Sequence, residues 1–327
     1  MLHDINRARP SPMPATGDAT APVGVFDSGV GGLSVVRAIR HVLPDERVLY
    51  CADARYNPYG DRSEAFVIDR TLAIGEWLLA QGVKAVVVAC NTATTIAVSA
   101  LRDALPIPVV GVEPGVKPAV AACRSGVAGV LATAGTLRST SFQRLVLEHA
   151  GGARLICTAG HGLVEAIESR DLASSALRAR LMDYLLPMLD AGADTLALGC
   201  THYPFLTPLI DELTEGRLHI IDNGTPVALQ LARRLDAHGL RARPSHGAVT
   251  SAATHVDSDD DGVYLAPATA PLILCCTGDT TTLDWLARQA CGENLSSAAT
   301  VDIRSPLTAA DRPFLSLHSA PATVRSL

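Results

Sequence analysis

The chain has 327 residues, 48% hydrophobic and 18% charged, enough to build two domains of ordinary size and too apolar for broad disorder. Its 27 basic and 33 acidic side chains give a formal charge of −6, which argues against a nucleic-acid-binding surface as its main business. No apolar run approaches the roughly 18 residues of a membrane helix, and MLHDINRARPSPMPATGDATAP holds no stretch of signal-peptide length, so a cytoplasmic protein is expected.

Residues 1–21 read as a disordered tail, rich in Pro, Ala, Ser and Thr. A regular alternation then begins. Residues 22–26 predict a buried strand, DSGVGG a tight loop, and Leu33, Val36, Ile39 and Leu43 one face of a helix. Strands follow at 47–53, 84–89 and 107–112, with helices at 63–81 and 92–105 between them. After Glu113-Pro114-Gly115 the pattern starts over, with strands at 126–132, 153–157, 194–199 and 217–222. Helices are predicted at 139–150, 161–169, 174–191 and 226–237. Residues 239–271 break this rhythm as an irregular insert, whose acidic run at 257–261 lacks the closing Glu of a calcium loop. A returning strand at 272–279 and a helix at 282–291 precede a tail from 305 onward.

Alternating strands and helices imply parallel sheets with right-handed crossovers. The fold class is therefore α/β, with two pseudo-symmetric lobes and a cleft between them. The first lobe is expected to take residues 22–114 and 222–304, the second 115–221, with hinges near 113–118 and 206–226.

Ligands of open α/β sheets gather beyond the carboxyl ends of strands. That rule selects Asp27-Ser28, Cys90-Asn91-Thr92, the loop from Thr133 to Thr136, and Cys200-Thr201-His202. Two of these loops place a cysteine at a strand-to-helix turn, where helix N–H groups favour a thiolate and can hold a substrate carboxylate. Eight cysteines occur without a CxxC pair, as expected of free thiols in a reducing compartment rather than a zinc ribbon or disulfide framework. The other six cysteines read as small core residues. If the lobes face each other, the two selected sulfurs can meet across one small molecule. Opposed thiols suit the inversion of a carbon beside a carboxylate, one removing a proton and the other delivering one. Asp27 and His202 could tune and assist them.

The segments GVFDSGVGGLSV (24–35), NPYG (57–60), ACNTAT (89–94), ATAGT (132–136) and GCTHYP (199–204) together resemble the cofactor-independent glutamate racemases of the aspartate/glutamate racemase superfamily. The resemblance spans roughly 22–304 and is weak over 239–271. It implies Cys90 and Cys200 as the catalytic thiols, with Asp27 assisting the first and His202 the second. It implies Asp27, Ser28, Tyr59, Gly60, Asn91, Thr92, Thr136, Thr201 and His202 as substrate-binding positions. An assisting glutamate is expected after the strand at 153–157, and the Leu-Val-Glu register favours Glu165 over Glu168. No cofactor, metal, membrane or nucleic acid is expected, the partner being glutamate and the assembly a homodimer. D-Glutamate would serve peptidoglycan synthesis. The alternatives are another racemase of the superfamily, acting on aspartate or hydantoins, or a gyrase-restraining binding protein with secondary catalysis.

Overall fold

A computed structural model describes residues 18–243, 270–292 and 295–303. The expected tails beyond these limits and residues 244–269 of the insert, including its acidic run, lie outside the described residues.

Four strands, β1 (Val23–Asp27), β2 (Val48–Ala52), β3 (Ala85–Val88) and β4 (Val109–Gly111), open the chain. A second group follows as β5 (Val127–Ala132), β6 (Arg154–Ala159), β7 (Thr195–Gly199) and β8 (His219–Ile221). The chain then returns to the first group with β9 (Leu272–Cys276) and β10 (Ala299–Thr300). Two sheets result, ordered β10-β9-β2-β1-β3-β4 and β6-β5-β7-β8, with parallel pairing at every described ladder. Strands β1, β2 and β3 are buried along their whole length, which requires helices on both faces.

The helices supply that cover. Their order is α1 (Leu33–Val42), α2 (Glu64–Ala80), α3 (Asn91–Ala104), α4 (Val116–Ala122), α5 (Ala134–Arg138), α6 (Thr140–His149), α7 (Leu163–Glu168), α8 (Ser175–Asp190), α9 (Thr207–Thr214), α10 (Gly224–Ala237) and α11 (Thr281–Cys291). One face of the larger sheet packs on apolar residues of α1, α10 and α11, and the other on those of α2 and α3. In the second lobe, α7, α8 and α9 cover one face, and α4 and α6 the other.

Two departures from the sequence reading stand out. The segments expected as hinges carry two helices not predicted: α4 begins at Val116, and α9 fills Thr207–Thr214, whereas β8 and α10 fall close to the strand at 217–222 and the helix at 226–237 expected there. Strand β10 was not predicted, because two exposed residues carry no hydrophobic period, and its pairing with β9 alone defines it.

At the amino ends of the first-lobe strands, Lys84 and Glu46 form an ion pair with both side chains about 1% exposed. Lys84 also donates to the Ala19 carbonyl, and Glu46 accepts the Ala242 N–H. Removing one partner strands the other charge out of water. Lys84→Met should therefore lower unfolding free energy by about 3–5 kcal/mol in urea denaturation, and adding Glu46→Leu should recover most of that loss.

Candidate active site

Strand β1 delivers Asp27 into the interior with no exposure. Its Oδ1 accepts the Ser28 N–H at 2.6 Å and the Ser28 hydroxyl at 3.2 Å. Its Oδ2 accepts the Gly32 N–H at 2.6 Å and the Thr201 hydroxyl at 3.0 Å, the latter from the opposite lobe. Burial raises the Asp27 pKa, against the pull of His202 and of hydrogen bonds from Cys90 and Thr201. The glycines of DSGVGG serve close approach: a Cβ at Gly31 would collide with the His202 ring, and one at Gly29 with the Glu168 carboxylate.

Cys90 leaves β3 in extended conformation and caps α3. Its thiol donates to the Ser28 hydroxyl at 3.6 Å. Burial and the neighbouring Asp27 charge push its pKa up strongly, although the N–H groups of Ala93 and Ser28 pull the other way. The helix-start N–H of Ala93 thus acts in the expected direction, but burial and the Asp27 charge outweigh it.

Across the cleft, Cys200 follows β7, and its sulfur stands 3.8 Å from His202 Nδ1. His202 Nε2 hydrogen-bonds to Glu168 Oε1 at 2.8 Å, and the same oxygen accepts the Val30 N–H of the first lobe at 3.2 Å. Burial opposes charge on His202, yet its contacts with Cys200 and Glu168 carry the pKa well above the ordinary histidine value. Burial likewise works against the Glu168 carboxylate, but His202 brings its pKa below the usual value. Each partner thus favours the charged form of the other, imidazolium against carboxylate.

The carboxylate on His202 thus comes from Glu168 and not from Glu165, which the register had favoured. The reason is helical geometry. Val164 lines the cavity, and Glu168, four residues on, lies on the same face of α7, whereas Glu165 points to solvent.

Both thiols open onto one cavity of about 20 Å³, walled also by Asp27, Ser28, Tyr59, Gly60, Asn91, Thr92, Thr201 and His202. Thr136 stands behind this wall, bonded to Thr92 and Thr133 at 3.3 and 2.9 Å. Tyr59 presents its ring, because its hydroxyl is committed to Asp53. The amide of Asn91 is buried, and neither of its polar atoms has a hydrogen-bond partner among the described residues. Asp53 and Val164 were missed by the sequence reading, while Asn57 and Thr133 fell within its NPYG and strand-end segments without a role of their own. Asp53 directly follows β2, at the same sheet edge where Asp27 ends β1, and that position was its signal. It holds Tyr59, Thr277 and a bidentate Arg70. Among the described residues, no group of three or more His, Cys, Asp or Glu could hold a metal ion.

Two parallel α/β lobes whose strand ends close on a pair of thiols describe an isomerase of the amino-acid racemase class. The family model for Asp/Glu/Hydantoin racemase matches residues 33–232, and the chain belongs to that family. It is 52% identical to the glutamate racemase of Cupriavidus pinatubonensis, across 76% of this chain and 97% of that protein. It is 58% identical to that of Ralstonia nicotianae, across 68% and 81% respectively. Among solved structures, the glutamate racemase of Bacillus anthracis superposes with a TM-score of 0.72 at 29% identity, covering 88% of this chain and 99% of that one. The Escherichia coli enzyme in complex with L-glutamate and the activator UDP-MurNAc-ala superposes with a TM-score of 0.70 at 30% identity, covering 87% and 100%.

The dyad has a definite pH signature. The stabilisation from Glu168 is present above about pH 4.5 and lost as pH falls through its lowered pKa. That from His202 is complete below about pH 6.5 and fades as pH rises through its raised pKa. Glu168→Gln should therefore lower stability most between those values, by about 1–3 kcal/mol in urea titrations at pH 6, while Glu165→Gln stays within about 0.5 kcal/mol of wild type.

Proposed function

We propose that this enzyme interconverts L- and D-glutamate, with Cys90 and Cys200 exchanging a proton on opposite faces of Cα. The observation that carries this reading is the convergence of two buried thiols, one from each sheet, on a single cavity that Asp27, Asn91, Thr92, Thr201 and His202 also line. The choice of glutamate rests on the names of the relatives and on the L-glutamate bound by the Escherichia coli enzyme.

In one direction the Cys90 thiolate takes the Cα proton, and the Cys200 thiol gives its own proton to the other face. Cys90 ends protonated and Cys200 ionised, and the reverse reaction exchanges these roles. Ser28 and Asp27 serve the first sulfur and His202 with Glu168 the second, so each has a proton relay of its own. Ionising Cys90 beside Asp27 is unfavourable in the empty site. A substrate ammonium next to Asp27 offsets both negative charges and makes the thiolate accessible. The free Asn91 amide and the hydroxyls of Thr92 and Thr201 are suited to the substrate carboxylate, where negative charge builds during proton removal. A cavity of about 20 Å³ holds about one water molecule, so the lobes must part to admit glutamate and close again to exclude solvent.

The same reading assigns residues 22–114 with 222–304 to one lobe and 115–221 to the other. It gives the enzyme a place in the cytoplasm as a homodimer, making D-glutamate for peptidoglycan without a cofactor. No helix of the described residues is long and apolar enough to cross a membrane.

Purified protein without added cofactor should racemise both glutamate enantiomers and leave L-aspartate unchanged, as followed by circular dichroism. In heavy water, deuterium should enter Cα chiefly of the inverted product. Cys90→Ser and Cys200→Ser should each cost at least about 10²–10⁴-fold in kcat/KM. Near-wild-type racemisation by either variant would overturn the two-thiol mechanism, and turnover of aspartate in place of glutamate would overturn the substrate assignment.

A further inference from the structure

Glu168 belongs to the second lobe, yet the first lobe grips it at both ends. The Val30 N–H reaches its carboxylate at 3.2 Å, and the Asn57 side chain beside it helps lower its pKa. The Thr282 hydroxyl, in the first turn of α11, donates to the Glu168 main-chain carbonyl at 3.0 Å. That carbonyl belongs to the last residue of α7, where helical carbonyls lack partners within the helix. Thr282 thus ends a short helix and fixes the residue that holds His202. Helix α11 is anchored in the first-lobe core by Leu283, Leu286, Ala287 and Ala290, so Thr282 cannot follow α7 when the lobes part.

We propose that Thr282 is a positioning residue: its interlobe hydrogen bond seats Glu168 against His202, so that closure of the lobes assembles the relay serving Cys200. This deepens the two-thiol reading and rests on it for its consequence in turnover. Thr282 does not line the cavity and touches no reacting atom. The charged or titratable groups facing His202 are Cys200 beside it, Asp27 at the end of β1 and Glu168 on α7. Glu168 is in turn felt by Tyr50 of β2 and Cys276 of β9. Loosening Glu168 withdraws the one carboxylate bonded directly to the imidazole, and the imidazolium then gives up its proton at lower pH.

Thr282→Val keeps the shape and removes the donor. Thr282→Ala serves as a second variant that cannot crowd the site, and Thr282→Ser should restore wild-type behaviour. Thr281→Val is the control, since that hydroxyl bonds only locally to Asp279. NMR titration of the His202 ring should show a midpoint about one pH unit lower in the Val and Ala variants, a tenfold change in proton affinity. The basic limb of kcat/KM for glutamate should move down with it, by the same amount in both reaction directions. An unchanged His202 titration in a folded Thr282→Val or Thr282→Ala protein would overturn the proposal, as would a failure of Thr282→Ser to restore it. Should the wild type not racemise glutamate, the substrate assignment falls, while the ring titration still decides whether Thr282 seats the dyad.

Discussion

The carboxylate of Asp27 is the constraint on which the site depends. It sits wholly out of water, and an ion there persists only if fixed dipoles replace the lost hydration. Three donors come from its own loop, the Ser28 and Gly32 N–H groups and the Ser28 hydroxyl, and the fourth is Thr201 from the opposite lobe. Satisfying Asp27 therefore draws Thr201 inward, and with it the neighbours Cys200 and His202. Ser34 adds a second tie by donating to the Thr201 carbonyl at 2.9 Å. The glycines at 29 and 31 are needed because this approach leaves no room for a Cβ against Glu168 or the imidazole.

The same seam gives the two sulfurs opposite surroundings. Cys90 faces a hydroxyl backed by a carboxylate, and Cys200 faces an imidazole backed by a carboxylate. A proton leaving Cys90 must overcome the negative charge of Asp27, whereas beside Cys200 the first neighbour is the His202 imidazole, whose pKa is raised. In the proposed reaction this asymmetry makes the substrate ammonium part of the machinery, since it supplies the positive charge that the first lobe lacks.

Much of this was legible in the sequence because the rule placing ligands beyond strand carboxyl ends is topological. It needed only the positions of β1, β3, β5 and β7, and the apolar, β-branched runs mark these clearly. Cys90, Cys200, Asp27 and His202 stand together in the folded chain for that reason. Glu168 was not legible as the partner of His202. Choosing between glutamates three residues apart on a helix requires its rotation about its own axis, and α7 is too short to carry a decisive hydrophobic stripe. Asp53 escaped because its partners, Arg70 and Thr277, lie 17 and 224 residues away in sequence. The high pKa of Cys90 was equally hidden, since a helix start is visible in sequence and depth of burial is not.

Burial of the thiols and smallness of the cavity follow from one requirement. In the proposed reaction a thiolate in water would be a weaker base for a Cα proton, because solvent stabilises the anion. Sulfurs held among Thr, Asn and backbone donors exchange that solvent for dipoles already oriented, which need not reorganise during proton transfer. The cost is that the site cannot stay open and dry at once. Donors on separate lobes resolve the conflict: Thr201 meets Asp27, Val30 meets Glu168, and Thr92 meets Thr133 across the seam between the lobes. Each of these bonds closes the cavity and orients a group on its wall, so the interactions that exclude water are the same ones that build the catalytic geometry.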